Sequence, residues 1–91
     1  MSQEENPPKR IAVIWSPQAR TDLRAIDRET ARQILYCLDR YLLNRDGDVK
    51  KLKPPRTDFR LRCGDYRLFF DPHAENTIHI TGVRHRREAY R

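Results

Sequence analysis

The stretch of sequence that decides the fold is Phe59-Arg60-Leu61-Arg62-Cys63-Gly64-Asp65-Tyr66-Arg67-Leu68-Phe69-Phe70. A Gly-Asp pair between two runs that alternate apolar residues with other side chains predicts a β-hairpin with a two-residue type II′ turn. This turn fixes the register, so that Leu61 faces Leu68 and Arg62 faces Arg67. Because facing residues share one side of a sheet, one side of the hairpin is apolar. The other side carries Arg60, Arg62, Arg67 and Phe69, with Phe69 either an exposed stacking platform or covered by the C-terminal tail.

The facing pair of arginines, Arg62 and Arg67, indicates a bound anion. Like charges placed directly across two strands destabilise a sheet, so such a pair suggests a role other than stability. The composition of the whole chain also indicates an anionic partner. Its 19 lysines and arginines exceed its 13 acidic residues and give a net charge of +6. Such a charge predicts attraction to a polyanion or to an acidic protein. The alternative is a solvated basic surface.

Length and composition predict one small domain of residues 11–91, preceded by a flexible N-terminal extension of residues 1–10. The absence of a long apolar segment and of a signal-peptide pattern predicts a cytoplasmic protein without a membrane anchor. We interpret Cys37 and Cys63 as small buried hydrophobic residues rather than as a disulfide. Two cysteines and three histidines at these spacings do not form a metal site, and we expect no cofactor.

Two helices are predicted between a first strand and the hairpin. Residues 11–15 form a short β-rich run that would suit an internal strand buried on both faces. Ser16-Pro17 then begins one amphipathic helix, and Asp27 caps a second helix from about Arg28 to Asn44. Residues 49–57 are predicted to be a basic, proline-stiffened loop that carries Lys50, Lys51, Lys53 and Arg56.

The last strand, residues 77–84, contains a glycine that predicts a β-bulge. Strict alternation would place Arg84 on the apolar face, where an unpaired charge is costly. One extra residue near Gly82 would instead turn Val83 inward and bring Arg84 to the side of Arg62 and Arg67. The predicted fold is therefore α+β, of order β-α-α-β-β-β, with a helical hairpin packed on one face of a four-stranded antiparallel sheet.

Three motifs in this order resemble the RelE/ParE superfamily of bacterial and archaeal toxins: Trp15–Ala19 leading into Asp22-Leu23, then Leu61–Phe70, then Val83–Arg91. The resemblance covers nearly everything from Ile11 onward. It implies an active surface on the sheet face opposite the helices. RelE-like members are ribonucleases that enter the ribosomal A site and cleave mRNA by attack of the ribose 2′-OH, without a metal. ParE-like members share the fold but poison DNA gyrase.

The resemblance favours the RelE-like branch, because Arg67, Arg84 and Tyr90 match its basic and tyrosine set. It assigns Arg67 and Arg84 to the scissile phosphate and Tyr90 to base stacking or proton transfer. Candidates for further phosphate contacts are Arg60, Arg62, Lys51, Lys53, Arg86 and Arg87. The better-known enzymes carry lysines where this chain has Arg60 and Arg62, and arginine does not serve as a proton acceptor.

The candidates for the proton acceptor are His85, Tyr90, His79 or none at all. His85 is the most attractive by its intrinsic pKa and by its place beside Arg84, although an exposed histidine in a basic tail is an equal alternative. The resemblance also implies an acidic or amphipathic antitoxin that wraps the basic face, the ribosome with its mRNA as target, and no specific DNA binding by this chain. A gyrase poison and a catalytically degenerate antitoxin-binding member stay open as alternatives.

Overall fold

Seven elements follow one another in a computed structural model that describes residues 11–89. They are β1 (Ala12–Trp15), α1 (Pro17–Arg24), α2 (Arg28–Asn44), β2 (Asp48–Lys51), β3 (Phe59–Cys63), β4 (Tyr66–Ala74) and β5 (Thr77–His85). The predicted extension of residues 1–10 lies outside the described residues, as does Tyr90. The α+β class and the helical hairpin on one sheet face are confirmed.

The sheet has the order β1-β5-β4-β3-β2. The prediction of four antiparallel strands was wrong in two respects, because a fifth strand is present and β1 pairs in parallel with β5. The extra strand β2 overlaps the start of the predicted basic loop, and its Val49 pairs with Leu61. A short connection from α2 brings this polar segment alongside β3. The long connection between β1 and β5 imposes no antiparallel direction, in contrast to the tight turn of the hairpin.

The first strand is an edge strand, which corrects the expectation of an internal one. In β1 the side chains of Val13 and Trp15 pack against the core, whereas Ile14 is 45% exposed. The apolar run therefore does not indicate burial on both faces. A continuous apolar run of this length fits an edge strand as well when only one of its faces is covered.

Both helices begin where the sequence places their caps. The Ser16 hydroxyl accepts a hydrogen bond from the backbone N–H of Ala19 at 3.0 Å, and Pro17 takes the first helical position. The Asp27 carboxylate accepts one from the N–H of Thr30 at 3.1 Å. These bonds satisfy donors that have no partner within the helix. The helices bury one stripe against the sheet, and the core contains Ala19, Ile34, Leu38, Leu61, Leu68, Phe70, Ile80 and Val83.

A disulfide joins α2 to the end of β3. It links Cys37 to Cys63, whose Cα atoms are 5.9 Å apart although 26 residues separate them in sequence. The interpretation of these cysteines as unlinked hydrophobic residues was therefore wrong. Their proximity results from the way α2 packs across the sheet, and no local pattern in the sequence reports it. Within residues 11–89, no helix has the length and apolar character needed to cross a membrane.

Candidate active site

Three arginines occupy neighbouring positions on three adjacent strands. Arg62 in β3 pairs with Arg67 in β4, and Arg67 pairs with Arg84 in β5. The adjacent row, Leu61, Leu68 and Val83, is buried in the core beneath the helices. Since successive residues of a strand point to opposite faces, the arginine row lies on the face away from the helices. We call this side of the sheet the arginine face, and the row Arg62–Arg67–Arg84 the arginine row.

A β-bulge brings Arg84 into this row, as the sequence predicted. Phe69 pairs with Gly82 and Phe70 pairs with Ile80, so that Thr81 is one extra residue in β5. Val83 is thereby turned into the core. A Cβ atom added to Gly82 would lie 3.4 Å from the carboxylate of Asp22. The glycine therefore leaves room for a side chain from α1 to approach the strand.

Asp22, which sequence reasoning did not select, holds Arg84 in place. One carboxylate oxygen accepts from Nη1 of Arg84 at 2.6 Å and from the Gln18 amide at 2.8 Å. The other accepts from the backbone N–H of Val83 at 2.9 Å, next to the bulge. The Asp22 side chain is only 8% exposed. Burial alone would raise the pKa of Asp22, but the hydrogen bonds from Val83, Gln18 and Arg84 outweigh it and lower the pKa.

The guanidinium of Arg67 is held by the turn of its own hairpin. Its Nη1 lies 3.1 Å from the carbonyl oxygen of Gly64 and 3.1 Å from that of Tyr66. Gly64 has a φ of 62°, and it is the only residue of the two-residue turn with positive φ, as a type II′ turn requires. We call residues 63–66 the hairpin tip. The tip therefore fixes the guanidinium without neutralising its charge.

His85 lies on the other side of the sheet from Arg84. It pairs with Tyr66 at the end of β5, and the two rings meet edge to face with centroids 5.3 Å apart. Its Nδ1 accepts a hydrogen bond from the backbone N–H of Arg87 at 3.2 Å. In the neutral ring this leaves the proton on Nε2, which is then a donor. Neither the position nor the tautomer supports a role for His85 in accepting a proton on the arginine face.

Basic residues extend the arginine face toward β2. Lys50 pairs with Arg60, while Lys51 lies at the strand end opposite Phe59. A cavity of about 430 Å³ is lined by Lys50, Lys51, Leu52, Lys53, Arg56, Arg60 and Ala89. The Arg60 side chain is 13% exposed and lies 3.8 Å from Asp48, and its buried Nη1 makes no hydrogen bond within residues 11–89. The cavity thus gathers the predicted residues Arg60, Lys51 and Lys53 and adds Lys50 and Arg56.

Phe69 is covered rather than exposed. It is 4% exposed, and the guanidinium of Arg56 lies over its ring at 4.8 Å from the centroid. Arg56 is itself held by two hydrogen bonds to the buried carboxylate of Asp58. The suggestion that Phe69 is an open stacking platform was therefore wrong. Arg56 was predicted only as one basic residue of the loop, and the structure shows that its guanidinium covers this ring.

The predicted residues Arg86 and Arg87 lie in the turn that follows β5. Arg86 and Arg87 are exposed in a turn, where the N–H of Arg86 donates to the carbonyl of Asp65 at 2.7 Å. Its guanidinium lies 3.9 Å from the Asp65 carboxylate. Tyr90 follows this turn and lies outside the described residues. The structure thus brings together Arg62, Arg67 and Arg84, and it places Arg86 against the hairpin tip.

The fold is similar to those of solved toxin structures. It superposes on the RelE toxin of a RelB–RelE complex from Methanococcus jannaschii with a TM-score of 0.68 and 23% identity, covering 85% of this chain and 94% of that one. With the YoeB dimer from Staphylococcus aureus the TM-score is 0.67 and the sequence identity is 25%. The match covers 84% of this chain and 97% of that one. With the RelBE2 toxin–antitoxin complex from Mycobacterium tuberculosis the TM-score is 0.62 and the sequence identity is 24%. This match covers 89% of this chain and 97% of that one.

The fold and a family match define the class of protein, a small toxin of a toxin–antitoxin system. The family model described as the ParE toxin of the type II toxin–antitoxin system parDE matches residues 13–90. The chain belongs to this family, within the RelE/ParE superfamily. No curated protein matches its sequence significantly.

Proposed function

We propose that this toxin is an endoribonuclease that cleaves mRNA in the ribosomal A site without requiring a metal ion. The observation that carries the proposal is the arginine row, three guanidinium groups on neighbouring strands of the sheet face away from the helices. Such a row destabilises the free protein through repulsion of like charges. A phosphodiester backbone compensates that repulsion, since guanidinium groups meet phosphate oxygens in pairs of hydrogen bonds.

The reaction is attack of a ribose 2′-OH on the adjacent phosphate, with departure of the 5′-oxygen of the next nucleotide. Negative charge builds up on the phosphorane, and fixed positive charge beside it lowers the barrier. In the proposal Arg67 and Arg84 bind the scissile phosphate, and Arg60 and Arg62 bind it or its neighbours. Lys51, Lys53, Arg86 and Arg87 attract the flanking phosphates at longer range.

The contacts that hold Arg67 and Arg84 leave several of their N–H donors available to bind a phosphate. Nη1 of Arg67 is used by the two carbonyl oxygens of the tip, and Nη1 of Arg84 is used by Asp22. A guanidinium has five N–H donors, so each arginine keeps several for an anion. Held side chains lose little entropy when substrate binds, which favours a correctly aligned complex.

Proton transfer is assigned to groups other than His85. The ring of this residue packs on Tyr66 and its Nδ1 is already an acceptor for Arg87. In the proposal Tyr90 stacks on a base or takes part in proton transfer. The ribosome aligns the mRNA for in-line attack, and the arginines supply the charge stabilisation, so that cleavage does not depend on a histidine base.

The test is single-turnover cleavage of a defined mRNA on programmed ribosomes, read by primer extension. We expect codon-dependent cuts with the natural sequence and a loss of at least about 100-fold for Arg67→Ala, comparable to removal of a transition-state hydrogen-bond donor. Arg32→Ala is the matched control, because Arg32 is exposed on α2 and makes no ion pair within residues 11–89. Equal rates for the two variants would overturn the role of the arginine row.

A second candidate function is inhibition of DNA gyrase, and the match to the ParE family model favours it. This function would act by binding and needs no aligned phosphate site. Brief expression of the toxin separates the two candidates: cuts within translated mRNA support the ribonuclease, whereas DNA damage with intact mRNA supports the gyrase poison. A lack of growth arrest would instead indicate a degenerate member that only binds its antitoxin.

A cognate antitoxin is the proposed partner, and the cytoplasm is the proposed location, because ribosomes and mRNA are there. Two of the similar structures, from Methanococcus jannaschii and Mycobacterium tuberculosis, are toxin–antitoxin complexes. An acidic or amphipathic segment that covers the arginine face would neutralise it. Retention of a co-expressed antitoxin that weakens with salt and with Arg62→Ala would support this mode of binding, and salt-independent retention would contradict it.

A further inference from the structure

The disulfide between Cys37 and Cys63 lies beside the residues that hold the candidate site. Cys63 is the first residue of the hairpin tip and Cys37 belongs to α2, so the bond attaches the tip to the helical layer. Cys63 also pairs with Tyr66 across the turn. Breaking this disulfide therefore removes a covalent restraint directly from the hairpin tip.

The tip in turn supports two parts of the proposed active surface. Its carbonyl oxygens at Gly64 and Tyr66 hold the Arg67 guanidinium, each at 3.1 Å. The carbonyl oxygen of Asp65 accepts the N–H of Arg86 at 2.7 Å, which fixes the turn that follows β5. The position of the tip thus sets both Arg67 and the start of the C-terminal segment.

A cavity gives small molecules access to the disulfide. It has a volume of about 610 Å³ and is lined by both cysteines together with Arg40, Arg62, Asp46 and Tyr66, among others. Cys63 is buried, whereas Cys37 is partly exposed toward this space. Arg40, which is paired with Asp46 at 3.3 Å, lies at this cavity. The cavity is therefore a route by which a small thiol reaches the Sγ atom of Cys37.

We propose that Cys37 and Cys63 form a thiol–disulfide exchange site for low-molecular-weight thiols, and that the state of this site controls the order of the hairpin tip. The thiolate attacks the sulfur of Cys37, forms a mixed disulfide with it and releases the Cys63 thiolate, which takes up a proton. A second thiolate attacks the sulfur of the bound small thiol. This step releases the small-molecule disulfide and leaves Cys37 as a thiol, so two electrons pass from the small thiols to the protein.

The oxidised protein holds the tip against α2, and the dithiol form loses this link. A disulfide in a protein that works among reducing thiols is exchangeable rather than permanent. The consequence for RNA cleavage depends on the function proposed above, but the exchange chemistry and the ordering of the tip do not. Oxidation would therefore favour the aligned state of Arg67, and reduction would weaken it.

The first measurement concerns the chemistry alone. The purified chain is equilibrated in glutathione and glutathione disulfide at a series of ratios, quenched with an alkylating agent and weighed by mass spectrometry. We expect a transition between no alkylated cysteine and two. A protein that keeps two free thiols at every ratio, or keeps its disulfide even in excess dithiothreitol, would overturn the proposal.

The second measurement concerns the tip. Hydrogen exchange of the amides around residues 64–66 and at Arg86 should be about 10-fold faster in the dithiol form, because their local opening is no longer limited by the bond to α2. Cys37→Ser should show the fast exchange in both redox states, and Cys63→Ser is a second variant of the same kind. The natural sequence in oxidised and reduced buffer gives the comparison without any substitution. Equal protection in the two buffers would overturn control of the tip.

The third measurement is single-turnover RNA cleavage in the two redox states. We expect about a 10-fold lower rate for the dithiol form, since small misplacements of a catalytic group have effects of this size or larger. Redox-independent cleavage would overturn the proposed control of activity. Absence of cleavage in both states would count against the ribonuclease proposal, while the alkylation and exchange results still decide whether the exchange site exists.

Discussion

At the scale of single residues, the carboxylate of Asp22 joins three features that the sequence presents separately. It accepts hydrogen bonds from the bulge at Val83 and from Gln18 in its own helix, and it pairs with Arg84 on the arginine face. Gly82 leaves the space that this carboxylate occupies. The sequence predicts the bulge by the cost of burying Arg84, but the partner of Arg84 comes from α1, 62 positions earlier.

Asp22→Asn is expected to destabilise the fold by about 1–3 kcal/mol at neutral pH, because hydrogen bonds to charged groups are lost. The pKa of Asp22 is lowered from its ordinary value of 3.8. Its charged form therefore stabilises the folded protein above the unfolded pKa, and this stabilisation is lost as the pH falls through the lowered folded value. Urea unfolding from pH 7 to pH 3 should show the two proteins converging below about pH 4.

The matched control is Asp39→Asn, since Asp39 is exposed on α2 and makes no ion pair within residues 11–89. It should change the free energy of unfolding by no more than about 0.5 kcal/mol. A gap between Asp22→Asn and the natural sequence that stays constant down to pH 3 would show that the carboxylate charge is not the stabilising element.

His85→Gln is expected to retain single-turnover cleavage within about 3-fold, which is small beside the 10²–10⁴-fold contribution typical of a general base. The reason is that Nδ1 accepts from Arg87 and the ring packs on Tyr66. The pH–rate profile should keep its shape as well. A drop of 100-fold with a displaced acidic limb would instead identify His85 as the proton acceptor.

At the scale of elements, the hairpin and the helices behave as their local patterns predict, whereas the basic loop does not. The Gly-Asp turn fixes the register of β3 and β4, and the caps at Ser16 and Asp27 fix the helix starts. The segment between α2 and β3 contains strand β2 and the arginine that covers Phe69. The sequence does not reveal β2, because the segment is polar and two prolines follow it. Hydrogen bonding to β3 stabilises a strand here although the β-propensity of its residues is low.

Arg56→Ala is expected to lower the free energy of unfolding by about 1–3 kcal/mol. The substitution removes both hydrogen bonds to the buried Asp58 and uncovers the ring of Phe69. Urea denaturation measures the effect. Lys53→Ala, an exposed change in the same loop, should alter stability by no more than about 0.5 kcal/mol.

The double variant Arg56→Ala/Asp58→Asn tests the cause of that loss. Removing the charge of Asp58 relieves the penalty of a buried, unpaired carboxylate, so the double variant should be more stable than Arg56→Ala alone. If it is less stable by the sum of the two single effects, the contact with Phe69 rather than the ion pair accounts for the role of Arg56.

At the scale of the whole molecule, one face of the sheet forms the hydrophobic core and the other carries the basic candidate site. The helices cover one face and supply the core, and the other face collects the arginine row and the basic cavity near β2. The arginine row and the basic residues of this cavity thus place positive charge where it attracts a nucleic acid or an acidic antitoxin. This division follows from strand alternation, which sends neighbouring residues to opposite faces.

Binding of a single-stranded 2′-O-methyl RNA, which has no free 2′-OH and is not cleaved, should weaken steeply with salt. About four phosphate contacts predict a slope near −3 in a plot of log K against log salt concentration, and Arg62→Ala should reduce its magnitude by about 0.7. Fluorescence anisotropy between 50 and 300 mM salt measures both slopes. Arg32→Ala should leave the slope unchanged, and a salt-independent affinity would contradict an electrostatic arginine face.

The sequence by itself determined the features that depend on neighbours in the chain. These are the register of the hairpin, the helix caps, the opposite faces of apolar and basic residues, and the bulge that turns Arg84 outward. Each follows from a local rule of backbone geometry or from the cost of burying a charge. The resemblance to RelE/ParE toxins rests on these same motifs, and the family match confirms it.

Only the tertiary structure decided which distant residues meet. The disulfide of Cys37 with Cys63, the pairing of Asp22 with Arg84, the cover of Phe69 by Arg56 and the parallel entry of β1 beside β5 all depend on how the helical hairpin and the basic loop pack. These contacts arise from packing across the whole domain, and no periodicity encodes them. The same packing supplies the Asp22 carboxylate that holds Arg84, whereas the carbonyl oxygens that hold Arg67 come from its own hairpin.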